Sequence, residues 1–262
     1  MAAKTPLITS SSRPADSYYP SALHEEALAR LAYLAEKGSA CGLLRGPASC
    51  GKSLILARFA LQQRQQGSAV AVVNALGVSA KELLLEIGAA WGTQVRVSDE
   101  LPQLWQKATE RLRELSYEQV PAILLIDDLH QGTAETADIV DRLHAFAEGS
   151  GVNLLLIAAC EAHCQELLSS RLLSRAELRV ELDIWTLDET AGFLQQWLAQ
   201  TSGENQELDN QAIEVLHDLA EGNPRRVRQL AELTLLAGSR IGDGPLREDV
   251  VQAAYEELCI GR

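Results

Sequence analysis

Cysteine is scarce in this chain of 262 residues, and long apolar runs are absent from it. The five cysteines are unevenly spaced and suggest no disulfide framework, which favours a reducing compartment. No apolar stretch approaches the roughly 18 residues that a membrane-spanning helix needs. Residues 1–6 also lack the apolar core of a signal peptide. The sequence therefore predicts a cytoplasmic protein without direct membrane insertion.

Positive charge is in short supply as well. The chain has 23 lysines and arginines against 36 aspartates and glutamates, which gives a formal net charge of −13. A surface that is acidic on average repels the phosphate backbone of nucleic acids, so nonspecific binding to DNA or RNA is disfavoured. A local basic patch, or a basic pore in a ring-shaped oligomer, is still compatible with this charge.

Apolar segments with strand character alternate with helical patterns through the first two thirds of the chain. This alternation predicts a parallel sheet with helices on both faces. The strands are expected at 40–45, 69–74, 122–126, 153–158 and 178–183. The helices are expected from Ala22 to Lys37 and near 52–66, 79–91, 101–116, 134–148 and 162–169.

The character of the sequence changes from Ile184 onward. Four helical patterns follow without strands, separated by turns rich in glycine and asparagine, near 187–201, 209–219, 224–238 and 246–258. We therefore expect three parts: a flexible N-terminal tail at 1–17, an α/β core at 18–183 and a small helical domain at 184–262.

One segment carries the clearest chemical signal. Residues 46–53 read Gly-Pro-Ala-Ser-Cys-Gly-Lys-Ser and fit the phosphate-binding pattern G-x-x-x-x-G-K-S/T. The two glycines let successive backbone N–H groups point at a β-phosphate, and Lys52 adds a mobile positive charge. Ser53 offers a hydroxyl ligand to Mg²⁺. The segment lies between a predicted strand and a predicted helix, as such a loop requires, and its ligand-binding residues are Gly46, Ala48, Ser49, Cys50, Gly51, Lys52, Ser53 and Leu54.

A second motif supplies the carboxylates that this loop needs. Five apolar residues, 122–126, predict a strand buried on both faces, and Asp127 and Asp128 follow it directly. Ligands of open α/β sheets bind at this carboxyl edge. Asp127 fits the role of orienting Mg²⁺, and Asp128 that of polarising the attacking water. The alternative is a pair of solvated acids in a loop.

The helical part contains the run Gly222-Asn223-Pro224-Arg225-Arg226. Pro224 suits the first turn of a helix, and the two arginines then lie at the helix N-terminus. Cations oppose the helix dipole there, so a compensating interaction is expected. A γ-phosphate across a cleft would provide it; ion pairs with Glu221 or Asp218 are the alternative.

Together these motifs resemble the AAA+ ATPases. The segment 19–31, Tyr-Pro-Ser-Ala-Leu-His-Glu-Glu-Ala-Leu-Ala-Arg-Leu, is similar to the opening of the ExeA-like group (general secretion pathway protein A), which is related to TniB/TnsC-type transposition ATPases. The resemblance implies a P-loop NTPase fold with a five-stranded parallel sheet and an all-helical lid. It also implies that ATP is hydrolysed with Mg²⁺ to drive or switch assembly of a partner complex, such as secretion, pilus or envelope machinery, and that the protein self-associates with ATP.

The resemblance also assigns roles to residues. It implies that Tyr19 and Pro20 line the adenine pocket, that Arg225 senses the γ-phosphate, and that a neighbouring subunit contributes an arginine finger. Arg171 and Arg175 are the candidates for this finger, with Arg175 preferred. It places Lys52 and Asp128 in catalysis and Ser53 and Asp127 at the metal.

Position 159 departs from the family pattern, which has a polar residue near this point of the strand. Alanine cannot hydrogen-bond a phosphate or a water molecule, so slow hydrolysis is expected. Two alternative functions follow from the resemblance and this departure: a DNA-associated regulator of the transposition type, and a nucleotide-binding scaffold with weak turnover.

Two cysteine features complete the sequence-based hypotheses. Cys50 lies within the phosphate loop, where a helix N-terminus should lower the pKa of its thiol and make it reactive. The alternative is a small residue that merely fits. Cys160, His163 and Cys164 form a short group of metal-ligand types, for which a structural role without metal is the stronger interpretation.

Overall fold

The computed structural model describes residues 18–38, 40–167, 170–201, 208–238 and 245–260. The tail predicted at 1–17 lies outside these ranges. No helix within them is long and apolar enough to cross a lipid bilayer.

Five parallel strands form one sheet, as the sequence predicts. They are β1 (Ala40–Gly46), β2 (Ala69–Asn74), β3 (Ala122–Asp127), β4 (Leu154–Glu161) and β5 (Leu178–Glu181). Their order across the sheet is β2-β3-β4-β1-β5. Because all pairs are parallel, the carboxyl ends of β1, β3 and β4 meet at one edge. The phosphate loop and the two aspartates therefore come together there.

Both faces of the sheet are buried, which explains the unbroken apolar runs of its strands. Along β4, Leu154, Leu156, Ala158 and Cys160 face a core shared with the helices Ala80–Ala90, Leu101–Tyr117 and Ala134–Ser150. The alternate residues Leu155, Ile157 and Ala159 face a second core shared with the helices Ala22–Lys37 and Lys52–Gln65. Side chains of a strand point to opposite faces in turn, so a polar residue on β4 has no solvent to face until the strand ends.

In the part of the chain that the structure describes, six helices accompany the sheet: α1 (Ala22–Lys37), α2 (Lys52–Gln65), α3 (Ala80–Ala90), α4 (Leu101–Tyr117), α5 (Ala134–Ser150) and α6 (Ser170–Arg175). Side-chain caps fix several of their starts. The Ser21 hydroxyl accepts a bond from the backbone N–H of His24, and Ser79 and Glu82 form a capping box at α3. Such caps satisfy N–H groups that have no partner inside the helix.

The chain after β4 differs from the predicted helix at 162–169. Pairing of β4 with β1 continues to Glu161, which lies opposite Gly46. The strand is therefore longer than predicted, and a 3₁₀ turn, Ala162–Leu167, precedes the short helix α6. β5 ends at Glu181 rather than at 183, although the backbone N–H of Leu182 still donates to the Arg45 carbonyl at 2.7 Å.

The remaining chain forms the helical region that the sequence predicts, with α7 (Leu187–Thr201), α8 (Asn210–Ala220), α9 (Pro224–Gly238) and α10 (Glu248–Ile260). These helices share a third core. Trp185, which lies just after the boundary predicted at residue 183, packs into it. Tyr19, from the other end of the chain, packs against the same core.

Candidate nucleotide-binding site

The loop between β1 and α2 has two points where only glycine fits. A Cβ at Gly46 would lie 2.6 Å from both the Cys50 Sγ and the Leu182 carbonyl oxygen. Gly51 has a φ of 107°, and a Cβ there would lie 2.6 Å from the His24 Nε2. This same Nε2 lies 3.1 Å from the Cys50 carbonyl oxygen, so a buried histidine of α1 supports the loop. These close contacts within the protein fix the path of the loop.

Lys52 is the first residue of α2 and directs its ammonium group back into the loop. Its Nζ donates to the carbonyl oxygens of Gly46 at 3.0 Å and Pro47 at 2.6 Å. The residue is only 6% exposed, so these carbonyls compensate for the loss of water around the charge. Phosphate oxygens bind an ammonium more strongly than neutral carbonyls, because both partners are then charged. A nucleotide can therefore displace these bonds.

The metal-binding residues predicted from the sequence, Ser53 and Asp127, are brought together. Burial raises the pKa of Asp127, a hydrogen bond from the Ser53 side chain lowers it, and the charge of Asp128 raises it again. A hydroxyl and a carboxylate are hard oxygen ligands of the kind that Mg²⁺ prefers. A buried carboxylate whose charged form is disfavoured gains from a nearby cation, so these residues fit Mg²⁺.

Asp128 turns the chain sharply after β3. Its φ of 50° and ψ of 38° are in the left-handed region, which aspartate tolerates better than most residues. The amide of Asn74, at the end of β2, donates to Asp128 Oδ2 at 3.4 Å. No sequence motif marks Asn74, and only the pairing of β2 with β3 places it opposite Asp127.

A cavity of about 660 Å³ lies over these residues. This volume is in the range of small-molecule sites. Its lining includes many of the predicted ligand-binding residues: Tyr19, Ala48, Ser49, Gly51, Lys52, Ser53, Leu54, Asp128 and Arg225. Gly46 and Cys50 lie behind the loop surface, and Pro20 is exposed and outside the lining.

Aromatic side chains form one wall of this cavity. The ring centroids of Tyr19 and Trp185 are 5.6 Å apart with the rings edge to face, and those of Trp185 and Phe193 are 5.0 Å apart. His24 also lines the cavity. Of these residues, only Tyr19 was proposed from the sequence as part of the nucleotide pocket. Trp185 and Phe193 belong to the helical region, and no local motif connects them with the loop.

The Gly-Asn-Pro segment joins the helical region to the phosphate loop. The Asn223 amide donates to the Ala48 carbonyl oxygen at 3.0 Å. Its Oδ1 accepts bonds from the backbone N–H groups of Arg225 at 3.1 Å and Arg226 at 3.3 Å, which caps α9. One side chain therefore contacts the loop and begins the helix that faces it.

The two arginines of this segment differ in their surroundings. Arg225 lines the cavity. Arg226 instead forms an ion pair with Glu221, 2.6 Å between Nη1 and Oε2. The two interpretations weighed from the sequence thus apply to different residues: the position of Arg225 suits phosphate contact, and Arg226 makes the ion pair.

A polar side chain of β4 does reach the cavity, although not at position 159. Ala159 is buried in the core on the side of α1 and α2. Glu161, two residues later, is the last residue of the strand and lines the cavity. Glu161 was not singled out from the sequence, because the strand was expected to end at residue 158.

The finger candidates lie on α6. Arg175 makes an ion pair with Glu148 of the same chain, 3.1 Å between Nη2 and Oε2. Arg171 is exposed. To reach a neighbouring subunit, Arg175 must leave Glu148, whereas Arg171 already faces solvent.

Cys50 is completely buried beneath the loop. Burial raises the pKa of its thiol, and the nearby Lys52 charge lowers it less. The expectation of a lowered pKa is therefore wrong, because desolvation outweighs the helix N-terminus.

We expect Cys50 to resist alkylation by iodoacetamide at neutral pH, with or without Mg-ATP. Both its burial and its raised pKa keep the nucleophilic thiolate rare. Peptide mass spectrometry measures the rate, with the partly exposed Cys164 as a faster internal reference. Rapid labelling of Cys50 that Mg-ATP suppresses would contradict this expectation.

Solved structures resemble this one across most of the chain. Thermotoga maritima RuvB, a Holliday junction branch migration motor, has 16% identity, a TM-score of 0.63, and coverage of 90% of this chain and 68% of its own. Aeropyrum pernix ORC2, in ADPNP-ADP complexes, has 19% identity, a TM-score of 0.68, and coverage of 88% of this chain and 66% of its own. Aeropyrum pernix ORC1, in complex with DNA, has 20% identity, a TM-score of 0.66, and coverage of 92% of this chain and 66% of its own. The chain thus spans about two thirds of these proteins, and the likeness concerns the fold.

A comparison with curated proteins found no match. A family model described as an AAA domain, however, matches residues 35–168, slightly more than half of the chain. This match covers the phosphate loop, the strand that ends in Asp127 and the whole of β4. The chain therefore belongs to the AAA domain family of P-loop ATPases.

Proposed function

We propose that this protein binds ATP with Mg²⁺ in the cavity over the phosphate loop and hydrolyses it to drive or switch the assembly of a partner complex. The observation that carries the proposal is the convergence of Lys52, Ser53 and Arg225 at one cavity, with Asp127 hydrogen-bonded to Ser53 beside it. Three separate parts of the chain contribute these groups, and each suits a different part of a metal-bound triphosphate.

The base would lie against the aromatic wall. Stacking on aromatic side chains favours a flat purine. Within the described residues, Trp185 Nε1 and His24 Nδ1 are buried without a hydrogen-bond partner, and both residues line the cavity. Adenine has ring nitrogens that accept hydrogen bonds and an amino group that donates them. We propose Trp185, Tyr19 and His24 as the base-binding residues; Pro20 would act only through Tyr19.

The proposed hydrolysis step uses Asp128. Its carboxylate would accept a proton from the attacking water, while Asn74 holds its orientation. Mg²⁺, held by Ser53 and Asp127, would neutralise phosphate charge. Lys52 and Arg225 would stabilise the negative oxygens of the transferred group. Aspartate is shorter than the glutamate that is more usual at this position, which changes how the attacking water is placed. We therefore propose slow turnover.

Measuring Mg-ATP binding by calorimetry and phosphate release at saturating ATP tests this function. We expect binding that chelation of Mg²⁺ weakens, and slow phosphate release. Absence of binding would contradict the proposal, whereas binding without phosphate release would favour the nucleotide-binding scaffold.

Self-association through the α6 face is a further part of the proposal. Arg175→Ala and Arg171→Ala should both fold and bind ATP, and loss of the finger should lower turnover by as much as ~10³-fold. If Arg175 serves only in its ion pair with Glu148, that pair contributes under ~1 kcal/mol to stability, and Arg175→Ala will leave turnover nearly unchanged. Mixing the variant that has lost the finger with Asp128→Asn should restore activity. In a mixed oligomer, the Asp128→Asn subunit supplies the intact arginine and its neighbour supplies the intact Asp128.

Light scattering with a non-hydrolysable ATP analogue measures the assembly. Arg96→Ala, in the exposed connection between α3 and α4, is the control and should assemble and turn over normally. A protein that stays monomeric at all concentrations, with full activity in both α6 variants, would rule out the shared site.

A DNA-associated role is the second candidate. Two of the similar structures are of a Holliday junction branch migration motor and of a protein in complex with DNA. The net charge of −13 weighs against this role here. Binding to duplex DNA that weakens steeply as salt is raised would favour it over an envelope or secretion partner.

A further inference from the structure

We infer that the chain carries a second metal site, distinct from the Mg²⁺ position, for a transition-metal ion of the Zn²⁺ type. His130, Glu161 and Cys164 place one ligand atom each within 4.8 Å of one another. His130 lies in the turn after β3, whereas Glu161 ends β4 and Cys164 lies in the turn that follows. The pairing of β3 with β4 brings these separate turns together.

His130 is the most informative of the three residues. Its side chain is only 5% exposed, and within the described chain its Nδ1 is buried without a hydrogen-bond partner. Its Nε2 is 4.0 Å from Glu161 Oε1 and 3.3 Å from the Gln131 amide nitrogen. An amide nitrogen only donates, so Nε2 accepts this weak bond with its lone pair and the ring is the neutral imidazole. A metal ion needs the same neutral form and would replace the Gln131 contact at Nε2.

The ligand types select the ion. Mg²⁺ takes oxygen ligands, whereas Zn²⁺ is bound by thiolate sulfur, imidazole nitrogen and carboxylate oxygen together. Three protein ligands leave a fourth position for water or for His163, whose exposed imidazole has its Nε2 3.5 Å from Glu161 Oε2. This set differs from the sequence-based group, because Cys160 faces the interior core instead.

Glu161 connects this site to the nucleotide cavity, because the same residue lines both. An ion held by His130 and Cys164 would also bind the Glu161 carboxylate and hold it at the edge of the cavity. The metal site therefore lies where it can alter the charge that faces a bound phosphate.

Titration of nucleotide-free protein with Co²⁺ alone tests the site. Thiolate coordination gives an intense charge-transfer band in the near ultraviolet, which an oxygen site such as the Ser53–Asp127 pair cannot produce. We expect this band to saturate at one equivalent, to disappear when Zn²⁺ is added, and to persist in excess Mg²⁺. The test uses no ATP, so its outcome is independent of the proposed ATPase function.

Cys164→Ser should abolish the band, and His130→Ala and Glu161→Gln should each weaken Co²⁺ binding at least about tenfold. Cys41→Ser is the matched control and should keep the band, because burial raises the pKa of the Cys41 thiol to about 12. Cys164 is partly exposed, so its replacement by serine should leave the fold intact, which circular dichroism checks. A wild-type protein without the band, or a band that survives in Cys164→Ser, overturns the inference.

Discussion

Replacing Lys52 with alanine is expected to remove most or all ATP binding. The ammonium group is buried in the phosphate loop and bonds only to carbonyl oxygens that a phosphate can displace. Loss of a charge-assisted contact of this kind costs ~1.5–3 kcal/mol, or roughly tenfold to more than a hundredfold in affinity. Calorimetry with Mg-ATP measures the change.

Lys37→Ala is the control for this experiment. It removes the same charge from the exposed end of α1, where Lys37 pairs with Glu177 at 3.6 Å. Its ATP affinity should equal that of the wild type. If Lys52→Ala also binds ATP with unchanged affinity, the phosphate loop is not the nucleotide site.

The second large effect is expected from Asp128→Asn, which should bind ATP normally and lose most of its turnover. Asparagine keeps the shape of the side chain but cannot accept a proton from water. Its amide can also keep a hydrogen bond with Asn74, so the loop geometry should persist. Phosphate release under saturating Mg-ATP, together with binding by calorimetry, separates the two properties.

Asp138→Asn makes the same chemical change on an exposed position of α5 and should leave turnover unchanged. Turnover at the wild-type rate in Asp128→Asn would show that Asp128 is not the proton acceptor. Asp127→Asn should behave differently from both, because it removes a proposed ligand of Mg²⁺ and should weaken the Mg²⁺-dependent binding of ATP.

The fold was predictable to the extent that it depends on local pattern. Strands buried on both faces, such as residues 122–126, stand out as short apolar runs between polar turns. The phosphate loop was predictable because its backbone path requires Gly46 and Gly51 at a fixed spacing. The end of β4 was misplaced, since Ala158, Ala159 and Cys160 have no strong strand preference and their pairing with β1 decides the outcome.

Site residues that depend on tertiary contacts were the ones missed. Asn74 has no motif, and its contact with Asp128 exists only because β2 is the neighbour of β3. Trp185 and Phe193 look like ordinary core residues of a helical bundle, and they do pack in its core. Their second role as a cavity wall arises from the position of that bundle over the loop, which no local spacing encodes.

The strand order also has a consequence for how the chain folds during synthesis. β1 leads into the phosphate loop, yet its partners in the sheet are β4 and β5, and Ala40 pairs with Leu155, 155 − 40 = 115 residues later. Contacts so distant in sequence form late and slowly. A nascent chain released before β4 would therefore contain the entire phosphate-binding motif without a formed phosphate site, and ATP could stabilise only the finished sheet.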